Sequence, residues 1–133
     1  MNDTETLART LWGESRGEGD LGIHAVANVV MNRVDAKKWW GLTPYEVCRK
    51  PWQFSCWNEN DPNRAKLLAV TDADPIYAKC LQIAQKAVNH ALPDITDKAT
   101  HYFDKRMPSV PKWAEDAEPC AIIGHHVFYR GIQ

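Results

Sequence analysis

The sequence predicts an α+β fold, mainly helical, with a small antiparallel sheet in its C-terminal third. Two observations carry this expectation. Apolar residues recur at helical spacing in successive segments from Leu7 to Ala91, and after Thr100 the chain turns to short β-prone runs broken by Pro and Gly. A length of 133 residues, 44% hydrophobic and 25% charged, suits one domain over 1–133, without linker, internal repeat or low-complexity tract. Sixteen Lys and Arg against seventeen Asp and Glu give a formal charge of -1, which supplies no basic field for a nucleic-acid backbone.

The first helix starts at Asn2, where Asn2-Asp3-Thr4-Glu5 has the spacing of a capping box, and Leu7, Ala8, Leu11 and Trp12 mark one face. It runs into Gly13, Gly17, Gly19 and Gly22, a composition suited to a helix end whose backbone lies close to another segment. The second helix has the strongest periodicity, with Ile23, Val26, Ala27, Val30, Met31 and Val34 on one face. Asn28, Asn32 and Arg33 lie opposite, either as solvated surface or as support for the preceding glycine-rich turn. Thr43-Pro44-Tyr45-Glu46 opens a short third helix near 44–49.

Residues 50–63 read as an irregular loop carrying Trp52, Phe54 and Trp57, the kind of long loop that binds something. A weaker helical stretch follows near 64–70. Asp74-Pro75 then starts a helix of about four turns lined by Ile76, Cys80, Ile83, Ala84, Ala87, Val88 and Ala91. Thr100 to Phe103 is β-prone, and Ala121-Ile122-Ile123 and His126-Val127-Phe128-Tyr129 flank Gly124-His125 as a hairpin.

Glu14 and Glu18 stand four apart, so one continuous helix would place both carboxylates on one face. The plain interpretation is a solvated acidic pair beside Arg16. Trp12 and the glycines favour instead a desolvated carboxyl, which an acid working at neutral pH requires because the ordinary Glu pKa is about 4.3.

The five histidines include no His-Glu-x-x-His, and Cys48, Cys56, Cys80 and Cys120 form no Cys-x-x-Cys, so no metal or cofactor is expected. The cysteines are expected as small buried residues. His101 alternates with apolar neighbours and is placed either facing a cleft or in a structural hydrogen bond. Phe54-Ser55-Cys56-Trp57 partly echoes the surroundings of papain-like nucleophiles, which makes a Cys56/His101 pair an alternative centre. The polar N-terminus has no signal-peptide pattern, and no apolar run reaches the roughly twenty residues of a membrane span. The expectation is a monomer made in the cytoplasm without a signal peptide and without stable membrane association.

Five segments in order resemble the SleB/CwlJ-type cell wall hydrolases, the spore-cortex-lytic and phage-lysin family. They are Leu7 to Gly19 with Trp12-Gly13-Glu14-Ser15-Arg16-Gly17-Glu18, Gly22 to Val34, Gln53-Phe54-Ser55, Ala99 to Phe103 together with Pro111-Lys112-Trp113-Ala114, and Ile123 to Tyr129. The resemblance implies a lysozyme-like α+β catalytic domain that acts on peptidoglycan glycan strands between N-acetylmuramic acid and N-acetylglucosamine. It implies a lytic transglycosylase forming 1,6-anhydromuramic ends, with Glu14 as general acid and then base. Gln53, Ser55, His101, Tyr102 and Trp113 are the implied substrate-binding residues, Glu18 either binds sugar with them or braces the glycine turn, and Trp12 and Trp57 are further candidate stacking surfaces. The alternatives are a hydrolytic muramidase using Glu14 and Glu18, and a Cys56/His101 amidase or peptidase acting on the peptide stems. A non-catalytic wall-binding module is a third possibility. A phage-type endolysin released through a holin lesion is the expected setting.

Overall fold

Asn2 closes the start of the first helix by accepting a hydrogen bond from the Glu5 N–H at 2.8 Å. In the computed structural model, which describes residues 1–132, helix α1 runs Asp3–Ser15. It packs among α2 (Gly19–Ala36), α3 (Pro44–Arg49), α4 (Pro62–Ala69) and α5 (Pro75–Val88). Leu7, Leu11, Val26, Val30 and Leu67 meet there fully buried. Each contributes roughly 1.5–3 kcal/mol relative to exposure.

Helix α2 is apolar on two sides. Ile23, Val26 and Val30 face the other helices, whereas Ala25 and Val29 pack with Ala99 and Phe128 of the C-terminal third. Its polar residues differ from both sequence expectations, since they neither face solvent nor support the glycine-rich turn. Asn28 accepts from the Ile95 N–H at 3.0 Å and donates to the Pro93 carbonyl at 3.1 Å. Asn32 donates to the Ala99 carbonyl at 2.9 Å, and Arg33 Nε to the Thr100 carbonyl at 2.7 Å. The irregular segment 93–100 needs partners for its backbone groups, and α2 provides them.

Two helix ends differ from the sequence reading. Helix α4 starts at Pro62, because Asp61 accepts from the Asn63 N–H at 2.8 Å and Pro62 occupies the first turn. Helix α5 stops at Val88 rather than Ala91, because His90 takes the left-handed conformation, φ 58°.

Strands β1 (His101–Asp104), β2 (Ala121–Ile123) and β3 (His126–Tyr129) form an antiparallel sheet in the order β1-β3-β2. Ile123 pairs with His126 across a two-residue turn whose first position, Gly124, has φ 59°. Glycine suits that position of a tight hairpin. His101 pairs with Tyr129 and Asp104 with His126, which puts β3 in the centre, buried along its length. Among the described residues no helix is long and apolar enough to cross a membrane.

Candidate active site

Glu14 stands in the last turn of α1, beside a glycine that permits close approach. A Cβ at Gly13 would lie 2.9 Å from Cys56 Cβ and 2.9 Å from Leu67 Cδ2. The Ser55–Trp57 turn is thereby seated on the helix end, and Trp57 Nε1 donates to Thr10 Oγ1 at 2.9 Å to hold it. From this turn the Cys56 N–H donates to Glu14 Oε1 at 3.4 Å. Burial raises the Glu14 carboxyl above the usual carboxylate range, and the Cys56 bond offsets only part of the rise. The negative end of the α1 dipole acts in the same direction as burial. Such a carboxyl keeps its proton to higher pH, which suits a general acid.

Glu14 lines a cleft of about 570 Å³ together with Arg33, Gln53, Ser55, Tyr102 and Trp113. Arg33 is only 6% exposed, lies near the Trp40 and Phe54 rings, and donates to Gln53 Oε1 at 3.4 Å. It therefore ties α2, the start of β1 and the loop that carries Gln53. Burial first, and the Glu14 carboxylate second, push the Tyr102 phenol well above its ordinary pKa. Tyr102 consequently stays a neutral hydrogen-bond donor beside Glu14.

Glu18 takes a different course from the one its spacing implied. Helix α1 ends at Ser15 and α2 begins at Gly19, so the two glutamates do not share a continuous helix face. The Glu18 side chain, 5% exposed, accepts from the His125 N–H at 2.9 Å and meets His125 Nδ1 at 2.9 Å. Arg106 Nη2 and His126 Nε2 approach it at 3.6 and 3.9 Å. Burial raises the Glu18 pKa, but the His125 bonds and the nearby histidines outweigh it and leave the carboxyl below its ordinary value. Glu18 does not line the cleft and braces the β2–β3 turn behind His126, which does line it.

Gln53, Ser55, Tyr102 and Trp113 are thus brought to one cleft with Glu14, whereas Glu18 and His101 lie outside it. The His101 ring sits between Trp40 and Trp113, with centroids 5.6 and 5.2 Å away, and its Nδ1 is 3.0 Å from Thr100 Oγ1. It supports Trp113 from behind. Burial, with help from Arg33 and Lys38, lowers its pKa to about 4. No hydrogen bond joins it to Cys56 among the described residues, and burial followed by the Glu14 charge pushes the Cys56 thiol far up. A thiol held protonated in this way is a poor nucleophile.

Trp12 and Trp57, at 8% exposure each, belong to the core and not to an open stacking surface. Arg16 does not pair with Glu14: its guanidinium lies 4.2 Å over Trp12 and donates to the Trp12 carbonyl and to Asn63.

Arg33, Trp52, Asp104 and His126 are among the cleft residues that escaped sequence reasoning. Arg33 and His126 lay within recognised segments but carried no signal of burial. Asp104 also lines the cleft, and Arg106 grips both of its oxygens at 2.6–3.2 Å, holding it below the ordinary Asp range. Trp52, 84% exposed with φ 70°, projects at the cleft edge. A bulky residue in that backbone region is an outlier of the kind that clusters at binding sites. Among the described residues no group of three or more His, Cys, Asp or Glu is placed to hold a metal ion.

The family model described as Cell Wall Hydrolase matches residues 17–129, a span that begins just after Glu14. A spore cortex-lytic enzyme of Bacillus cereus is 33% identical over 130 residues, covering 96% of this chain and 44% of the relative. The spore cortex-lytic enzyme of Bacillus subtilis is 30% identical over 132 residues, covering 96% of this chain and 37% of the relative. The chain therefore spans less than half the length of the curated relatives it matches. Two solved structures share the fold. The catalytic domain of the B. cereus SleB protein superposes with TM-score 0.73 at 27% identity, covering 96% of this chain and 89% of that one. The catalytic domain of the germination-specific lytic transglycosylase SleB from Bacillus anthracis gives 0.75 at 28% identity, covering 98% and 95%. The lysozyme-like α+β architecture expected from the sequence is the one they share.

Proposed function

The chain belongs to the Cell Wall Hydrolase family, and from that premise we propose that it cleaves peptidoglycan glycan strands as a lytic transglycosylase, with Glu14 as acid and base. The reading rests above all on where the carboxyl groups lie: Glu14 lines the cleft with its pKa raised by burial, whereas Glu18, the second carboxylate the sequence offered, is turned to His125 outside it. One carboxyl group suffices for an intramolecular displacement.

Protonated Glu14 gives its proton to the oxygen joining C1 of N-acetylmuramic acid to N-acetylglucosamine, and the C1–O bond breaks. The resulting Glu14 carboxylate takes the proton of the muramoyl C6 hydroxyl as that oxygen bonds to C1. Glu14 ends protonated and no water is consumed. The other product is the strand ending in N-acetylglucosamine with a free 4-hydroxyl. In this reading Tyr102 and Gln53 hydrogen-bond the sugars, and Trp113 and Trp52 stack on them.

A hydrolytic muramidase remains the second reading, favoured by one observation: Asp104 lines the same cleft as Glu14. Mass spectrometry of released muropeptides separates the two, since anhydro ends are lighter than hydrolysed ends by one water. Glu14→Gln abolishes release under either mechanism, and full activity of a folded Glu14→Gln variant would exclude both. We further propose action on vegetative walls after holin-assisted release. Lysis of permeabilised vegetative cells supports this, and activity confined to spore cortex sets it aside.

A further inference from the structure

On the far side of Trp52 and Phe54 from Glu14 lies a second cleft of about 530 Å³, and those two residues line both. Its chemistry differs from that of the first. Arg49 and Lys50 stand on its wall against one carboxylate, Glu59. The Arg49 guanidinium lies 4.3 Å over the Trp57 ring, with the Tyr45 ring 5.8 Å away. Among the described residues neither Arg49 nor Lys50 makes an ion pair or a side-chain hydrogen bond, although the other arginines of the helical half, Arg9, Arg16 and Arg33, each donate to protein oxygens. Arg64 Nε is likewise without a partner, but it is buried away from solvent. A guanidinium that rests on an aromatic ring, lines a cleft and has no protein partner keeps its N–H fork unclaimed, and such a fork binds a carboxylate in a bidentate manner.

We propose that this second cleft binds the peptide stem of the same polymer, with Arg49 gripping a stem carboxylate and Lys50 adding charge, while the glycan passes Trp52 into the Glu14 cleft. The inference rests on peptidoglycan being the substrate. Continuity across Trp52 and Phe54 is what selects a group covalently attached to the glycan over a free anion. Arg49 is a specificity residue, and it takes no part in the proton transfers.

The test compares wild type, Arg49→Gln and Arg49→Lys on three preparations: stem-bearing walls, walls stripped of stems by an amidase, and stem-bearing walls freed of phosphate polymers by acid. Soluble product is followed by mass spectrometry and folding by thermal melting. Wild type should process stem-bearing walls about tenfold more efficiently than stripped ones, the scale of one charged hydrogen-bonded contact. Arg49→Gln should bring that ratio close to one, Arg49→Lys should retain part of it, and removal of phosphate polymer should leave it unchanged. A wild-type ratio of one overturns the proposal whatever the variants do. So does an unchanged ratio in folded Arg49→Gln, or a ratio lost with the phosphate polymer. Absence of wild-type activity on all three preparations would instead overturn the peptidoglycan reading itself.

Discussion

The Glu14 carboxylate accepts a hydrogen bond from the Cys56 N–H at 3.4 Å, at the end of a helix whose dipole disfavours its charge. Its raised pKa means that the folded protein binds this proton more tightly than the unfolded chain does. Ionised Glu14 therefore destabilises the fold as pH rises through that pKa. Glu14→Gln, which mimics the protonated form, should lose activity yet melt higher than wild type at pH 7. The gain should vanish below the ordinary Glu pKa, and melting curves across pH check it.

Glu18 has the opposite sign. Its lowered pKa supplies stability that is present above the unfolded value and is lost as pH falls through the folded one. Glu18→Gln keeps the shape but loses the carboxylate that accepts the His125 hydrogen bonds, and should cost about 2 kcal/mol at pH 7. Denaturant unfolding at pH 7 measures it, and hydrogen exchange should show the loss concentrated in the β2–β3 turn.

His101 makes stability sensitive to mild acid. Its pKa falls from 6.5 to about 4 on folding, so stability is complete above 6.5 and declines as pH drops from 6.5 toward 4. The decline attributable to this residue is on the order of 3 kcal/mol by pH 4. His101→Gln should flatten the stability profile in that window, and buried His126, also lowered by desolvation, should keep a residual slope.

Trp52 combines 84% exposure with a left-handed backbone. Trp52→Gly removes the side chain and relieves that conformation, so it should melt no lower than wild type. Its KM for walls should rise about tenfold with kcat nearly unchanged, as expected for loss of one aromatic stacking surface. A fall in melting temperature with unchanged KM would assign Trp52 to structure instead.

The helical half and the hairpin were legible because their signals are local: the spacing of Val26 and Val30, the caps at Asn2, Thr43 and Asp74, and the Gly124-His125 turn. The motif from Trp12 to Glu18 singled out Glu14, which lines the cleft. Glu18 was misplaced because its partner His125 lies 107 residues away, and no local pattern reports such a bond. The break between the glutamates had in fact been signalled by Gly17 and Gly19. Asn28, Asn32 and Arg33 were harder still, because a helix face that binds a distant irregular segment has the same composition as one that faces water. Trp52 and Asp104 join the cleft only through long-range packing of the loop and of β1.

The missing side chain at position 13 also limits how this protein can be made more rigid. Exchanging a helical glycine for alanine is ordinarily a safe way to stiffen a chain. At Gly13 the added methyl would meet both Cys56 and Leu67 at 2.9 Å and wedge the Ser55–Trp57 turn away from the carboxyl it contacts. Four residues later, Gly17 has open space where a methyl would go and no positive φ. A thermostabilisation effort can therefore substitute Gly17 freely but must leave Gly13 untouched, although the two glycines flank the same acidic residue.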